Sequence, residues 1–336
     1  MNHLAPLRTY FLLIRPFNLL MIGLLLWALH AWLIIPLLLP YHVDPATPLS
    51  LFWLYSLALI LIAAGGYVIN AYFDVPIDVV NKPDHVIVSV SVSKKAARQF
   101  YLILTITGAL AGFFVAWRAH SSMLAIFIFL LIGLLWFYSS TYKRQFMIGN
   151  LIVAFVVALV PLAVAALEQS FLSLRYGDLL NFTRIPAKLY SWTGGYALFA
   201  FLLTWIREVI KDMEDEPGDR KMECHTMPIR WGIKRTKLFL YALIAITLFL
   251  LYLVVSAIDF PNDFITMRYF LVGIVLPCAW VVYRLMKANT AHDFKTISSV
   301  LKIIMLIGIG YTVAFYFLQA TTYHFPFFGW MITPTL

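Results

Sequence analysis

The sequence predicts an all-α polytopic membrane protein, and three observations carry that prediction. Of its 336 residues, 62% are hydrophobic and only 12% charged, against about 25% charged in a soluble domain. The apolar residues gather into runs close to the roughly 20 residues that a helix needs to cross about 30 Å of hydrocarbon, without the period-two alternation of a β-barrel. The cations between those runs are shared very unevenly between the two sides that alternate crossing would create.

Nine spans are expected, and each has its own mark. The first, 17–39, is too long for a signal-peptide core and no small-residue cleavage site follows it, so it is expected as a retained helix. The second, 51–73, runs into Asn70-Ala-Tyr-Phe-Asp74-Val-Pro-Ile-Asp78. The third, 100–117, follows Ser93-Lys-Lys-Ala, where serine reads as a helix N-cap. The fourth, 123–138, leads to Tyr138-Ser139-Ser-Thr-Tyr-Lys143, and Gly149-Asn150 opens the fifth, 148–167. The sixth, 190–206, runs into a long charged stretch from Arg207 to Asp219, and the seventh to ninth occupy 238–257, 269–285 and 300–320. Cys224 and Cys278 have neither disulfide nor metal-ligand spacing and read as free thiols.

Net charge is +9, but its placement is more informative than its sum. With nine crossings, 20 of the 25 Lys and Arg residues fall on the side of the N-terminus and five on the other. The positive-inside bias therefore puts the N-terminus and the loops after the second, fourth, sixth and eighth spans in the cytoplasm. A nucleic-acid surface is disfavoured, because these cations are scattered between spans instead of lining one face. The expected location is an inner (cell) membrane, with several passes.

Ten of the 16 Asp and Glu residues lie between Asp74 and Asp84 or between Glu208 and Glu223. Carboxylates at a membrane boundary are costly unless they bind something, so chemistry is expected there. Asn70, Asp74 and Asp78 recur every four residues, and Glu208, Asp212, Asp215 and Asp219 recur at +4, +3 and +4, which places each set on one helix face. Pro76 and Pro217-Gly218 are expected to end the two helices, leaving Asp78 and Asp219 on turns. Facing carboxylates repel unless a cation intervenes, and Mg²⁺ suits them because it takes hard oxygen ligands shared with substrate phosphates. Lys82, Lys143, Arg207, Lys211 and Arg220 supply positive charge for phosphate oxygens. Nucleotide-loop, zinc-protease, serine-hydrolase and dinucleotide motifs are absent. His85 and His225 lie beside the acidic stretches without a motif to make them catalytic.

These motifs resemble the UbiA superfamily of intramembrane prenyltransferases over nearly the whole chain. Asn70, Asp74 and Asp78 match the family's first motif; Asp212, Asp215 and Asp219 match its second. Tyr138-Ser139 with Lys143, and Ile14-Arg15-Pro16-Phe-Asn18, match two further signatures in order. Asn81-Lys82-Pro83-Asp84, the Arg207–Asp219 stretch and Thr226-Met-Pro-Ile look most like the branch that geranylgeranylates geranylgeranylglyceryl phosphate. Ala71 and the run His85-Val-Ile-Val-Ser-Val depart from that branch.

The resemblance implies one UbiA-type domain over 1–336: a nine-helix bundle of two four-helix units plus one, with cytoplasmic lid loops at about 74–99 and 207–237. It implies Mg²⁺ held by Asp74, Asp78, Asp212, Asp215 and Asp219, and a polyprenyl diphosphate donor gripped through the metal. Lys143 is expected to neutralise the leaving group, with Asn70, Lys82, Arg207, Lys211 and Arg220 supporting the site. The acceptor is expected to be lipid-soluble, of the geranylgeranylglyceryl phosphate type. An aromatic quinone or chlorophyll precursor is the alternative acceptor, and a cation-binding transporter is the alternative from another class.

Overall fold

The computed structural model describes residues 4–81, 83–258 and 264–327. A short helix, α1 (Leu4–Leu13), precedes nine long ones. These are α2 (Pro16–Tyr41), α3 (Leu49–Asn81), α4 (Lys94–Arg118), α5 (Ser122–Ser140), α6 (Ile148–Tyr176), α7 (Ile185–Lys221), α8 (Met227–Ser256), α9 (Phe264–Lys287) and α10 (Ala291–Tyr323). Each expected span has its helix. Among the described residues, eight helices are long and apolar enough to cross a membrane, and α7 is not one of them. Its central stretch is diluted by Trp192, Thr193, Gly194, Gly195, Tyr196, Thr204 and Trp205.

Prolines shape the helices without ending them. In α2 and α9 a wider π-helical turn, His30–Ile34 or Leu271–Val275, stands just before Pro36 or Pro277. There the Ile35 amide reaches back to the His30 carbonyl and the Leu276 amide to the Leu271 carbonyl. Such a bulge absorbs the lost hydrogen bond and lets the span continue. The expectation that Pro76 and Pro217 end their helices is corrected in the same sense. Helix α3 continues through Pro76 to Asn81, and α7 through Pro217 to Lys221. Asp78 and Asp219 therefore sit on helix, and the acidic spacings of four, three and four residues keep their common faces.

The connecting segments are correspondingly shorter than the expected lid loops at 74–99 and 207–237. Ser93 does cap a helix, its hydroxyl accepting the Ala96 amide, but that helix is the long α4. Between α3 and α4 the chain folds inward. Val88 and Val92 are 1% and 4% exposed, packed with Leu13 of α1, Val68 and Ile69 of α3, and Ala97 and Tyr101 of α4. The Ser89 amide donates to the Val92 carbonyl and the Ser91 amide to the Ile87 carbonyl, tying the turn to itself. Burying each valine from water is worth about 1.5–3 kcal/mol, enough to hold a short segment down.

The chain forms two compact units that interleave in sequence. One comprises 1–23, 48–156 and 212–236; the other comprises 24–47, 157–211 and 237–336. They do not follow the expected grouping into two quartets of successive helices, because α2, α6, α7 and α8 each give residues to both. A helix of 37 residues such as α7 is about 55 Å long at 1.5 Å per residue, so its two ends find different neighbours. The first unit holds both acidic motifs from Asp212 onward and is the one that positions the site. In the second, Trp192 packs on Phe315 at 4.4 Å and the Thr266 and Tyr311 hydroxyls are 2.8 Å apart. Glu168 lies inside α6, 1% exposed, and accepts the Ala46 amide at 2.6 Å.

Replacing both Val88 and Val92 by alanine is expected to reduce the local opening free energy of 86–93 by about 1–3 kcal/mol. Hydrogen exchange of that segment measures it; protection equal to wild type would show that the valines do not anchor it.

Candidate active site

Asp74 stands at the centre of the charged groups in the first unit. It is 3% exposed and has two partners. The Asn70 amide nitrogen, one turn earlier on α3, donates to its Oδ2 at 2.6 Å. The Lys143 ammonium forms an ion pair with the same oxygen. Lys143 comes from the turn Tyr142–Arg144 between α5 and α6. Gly149 lets that turn lie against the start of α6: a Cβ there would stand 2.9 Å from the Tyr142 carbonyl oxygen and 3.0 Å from the Lys143 Cα. The sequence marked both residues; the backbone approach explains why glycine is one of them.

The charges that act on Asp78 are those of Asp74, Lys143, Arg15 and Asp215. Asp219 is buried and senses Asp215, Lys143 and Asp74. The structure thus brings Asp74, Asp78 and Asp219 within reach of one cation, Lys143, with Asp215 acting on Asp78 and Asp219. Burial works against the charge on Lys143, but Asp74 beside it outweighs this and holds its pKa above the ordinary value. Burial first, and then the charge of Asp215, push the Asp219 carboxyl up to about 6. Asp212 accepts the Asn150 amide on its Oδ2 at 2.9 Å.

The remaining expected cations are engaged elsewhere. Arg220 is exposed and donates to Glu216 one turn earlier, at 2.5 and 2.8 Å. In the second unit, Arg207 and Lys211 flank the buried Glu208 at 2.6 and 3.5 Å. Lys82 lies outside the described residues. Arg15, named at first only as part of a motif, is a cation of the site: it acts on both Asp78 and Lys143 and lies 5.4 Å from the Tyr67 ring centroid.

Two asparagines that spacing did not single out bond to the second acidic motif. Asn150 orients Asp212, as above. Asn81, the last residue of α3, donates from Nδ2 to the Asp215 carbonyl at 2.9 Å and accepts the Gly218 amide on Oδ1 at 2.8 Å. An asparagine directly ahead of a proline-bearing loop was the available signal for it, but its partners are remote in sequence.

The oxygen-rich donor set fits a hard divalent cation. Asn70 Oδ1 is buried without a hydrogen-bond partner, a carbonyl oxygen beside Asp74 with its acceptor capacity unused. Around Asp219, the charges of Asp215 and Asp74 oppose that of Lys143. Among the described residues no three His, Cys, Asp or Glu side chains converge closely enough for a single ion. The carboxylates instead face amide and ammonium donors, as mutual repulsion requires when amines and amides are the available partners.

Comparison with known proteins agrees with this architecture. The UbiA prenyltransferase family matches residues 28–303. A digeranylgeranylglyceryl phosphate synthase from Methanosphaera stadtmanae is 28% identical over 255 residues, 75% of this chain and 83% of the relative. One from Korarchaeum cryptofilum is 30% identical over 251 residues, covering 74% and 80%. Among solved structures, a digeranylgeranylglyceryl phosphate synthase superposes with a TM-score of 0.59 at 24% identity, over 94% of this chain and 99% of that one. A UbiA homolog from Archaeoglobus fulgidus, bound to DMAPP and Mg²⁺, gives 0.56 at 17% identity, over 92% and 99%. At these identities the two structures speak for the fold, while the family match covers most of the chain. The chain belongs to the UbiA prenyltransferase family and is an integral membrane prenyltransferase.

Proposed function

We propose that this protein transfers a polyprenyl group, of the geranylgeranyl class, from its diphosphate to a lipid acceptor of the geranylgeranylglyceryl phosphate type, in a Mg²⁺-dependent reaction. The observation that carries the reading is the convergence of both acidic motifs on Lys143. It is supported by relatives named digeranylgeranylglyceryl phosphate synthase that align over most of their length. The charge bias supports an active site facing the cytoplasm.

Asp74, Asp78, Asp212, Asp215 and Asp219 are the residues that would hold the metal. Bound there, Mg²⁺ supplies charge neutralisation for the diphosphate as the allylic C–O bond breaks. The chain's own groups do the rest. Asn70 and Asn150 fix the orientation of Asp74 and Asp212, so that the carboxylates are set before substrate arrives. Lys143, already paired with Asp74, offers its remaining N–H bonds to leaving-group oxygens, and Arg15 adds positive potential. The inward-packed 86–92 segment limits water, which would otherwise capture the allylic cation. Capture by a nucleophilic oxygen of the acceptor then completes transfer, with a proton lost from that oxygen.

Asp74→Asn and Asp215→Asn are expected to lower diphosphate release from a geranylgeranyl donor about a hundredfold or more. Labelled donor in reconstituted membranes with a panel of acceptors measures this. Full retention of the rate would sink the proposed role of the carboxylates, and transfer only to an aromatic acceptor would overturn the lipid assignment.

The Asp219 carboxyl yields a pH prediction with a definite sign. Its folded pKa, about 6, lies above the ordinary 3.8, so the metal-free fold is favoured by the neutral acid and loses that contribution as pH rises from about 4 through about 6. Asp219→Asn is therefore expected to stabilise metal-free protein at neutral pH by about 1–3 kcal/mol and to change little near pH 4. Thermal unfolding in detergent at the two pH values checks this; equal shifts at both would contradict it.

A further inference from the structure

Two acidic motifs on separate helices serve one diphosphate only if their separation is fixed. The carboxylates themselves oppose this, since they repel one another. Asp74 and Asp78 ride on α3, and Asp212, Asp215 and Asp219 ride on α7. Where the end of α3 meets the end of α7, the side chain of Asn81 makes two hydrogen bonds to the α7 backbone. Its Nδ2 donates to the Asp215 carbonyl at 2.9 Å and its Oδ1 accepts the Gly218 amide at 2.8 Å.

The local sequence prepares both bonds. Proline 217 has no N–H, so the helical ladder of α7 is interrupted at this turn. Just after it, the Gly218 amide donates to Asn81. Gly218 is buried, and a Cβ at that position would lie 2.5 Å from the amide atoms of Asn81. Glycine is thus required for the approach. An asparagine amide offers a donor and an acceptor on one short planar group. Being uncharged, it adds nothing to the repulsion among the neighbouring carboxylates, whereas aspartate would lose the donor and add to it.

We propose that Asn81 is a positioning residue for prenyl transfer: by clipping the α7 backbone between Asp215 and Asp219, three residues beyond Asp78, it sets the spacing between the two acidic motifs. It touches neither the reacting carbon nor the leaving group. Its effect reaches the reaction through the carboxylates, whose productive geometry tolerates about 0.5 Å of error. The proposal rests on the metal-binding reading of the same carboxylates given above. Loss of a group that orients metal ligands from behind costs about 10–100-fold in metal affinity.

The test is a titration of the full-length protein in detergent with Mn²⁺, a spectroscopic substitute for Mg²⁺, read by electron paramagnetic resonance as free against bound ion. Wild type, Asp74→Asn, Asn81→Ala and Gly218→Ala are compared, with thermal unfolding of the metal-free proteins alongside. Wild type is expected to bind and Asp74→Asn to lose binding. Asn81→Ala and Gly218→Ala are each expected to weaken binding about tenfold or more, with folded protein retained. Gly218→Ala attacks the clip from the other side, so it decides the matter if Asn81→Ala does not fold. Wild-type affinity in the folded clip variants would overturn the positioning role while leaving the metal reading intact. Failure of wild type to bind the ion would overturn both.

Discussion

The repulsion among the buried and half-buried carboxylates of the two acidic motifs is the constraint on which the arrangement of the site depends. Four of them act on one another or on Lys143, in surroundings that water reaches poorly. Such a cluster stays together only where cations and amide donors face it. Lys143 meets this need for Asp74, Arg15 contributes potential, and Asn70 and Asn150 supply neutral donors. Each is delivered by a different part of the chain: the α1–α2 junction, α3, the α5–α6 turn and the start of α6. The electrostatics of the site therefore join several elements of the first unit.

The backbone devices around the site serve the same end. Gly149 brings the Lys143 turn onto α6, and Gly218 admits the Asn81 amide. Pro217 lies between the Asp215 carbonyl and the Gly218 amide that the Asn81 side chain bonds. Pro76 leaves α3 helical, so Asp74 and Asp78 remain one turn apart on one face. A turn at either proline would have separated the last carboxylate of each motif from its companions. Val88 and Val92 pin the intervening segment against α3 and α4 by burial. Rigidity next to the site thus comes from apolar packing, and charge placement comes from hydrogen bonds.

Much of this was legible in the chain itself. The nine apolar runs each became a helix because a backbone in hydrocarbon must satisfy its own hydrogen bonds. The periodic carboxylates stayed on one face because 3.6 residues make a turn. Proline was the misleading signal, since its effect in water overstates its effect in a long membrane helix whose neighbours and widened turns re-satisfy the freed groups. The cations were the other ambiguity. Arg220, Lys211 and Lys143 look alike in sequence, yet Arg220 finds Glu216 four residues away and Lys211 finds Glu208 three away, while Lys143 has no local carboxylate and reaches Asp74.

By itself, then, the sequence determined the membrane class, the apolar runs, the uneven charge and the acidic residues from which the site is proposed. All are one-dimensional quantities: hydropathy, length, period and count. Tertiary structure decided which of those residues meet. Lys143 joins Asp74 across 69 positions, Asn150 joins Asp212 across 62, and Asn81 joins Asp215 across 134. At such separations no local spacing specifies a contact; the packing of whole helices does, with glycine where the backbones must come close.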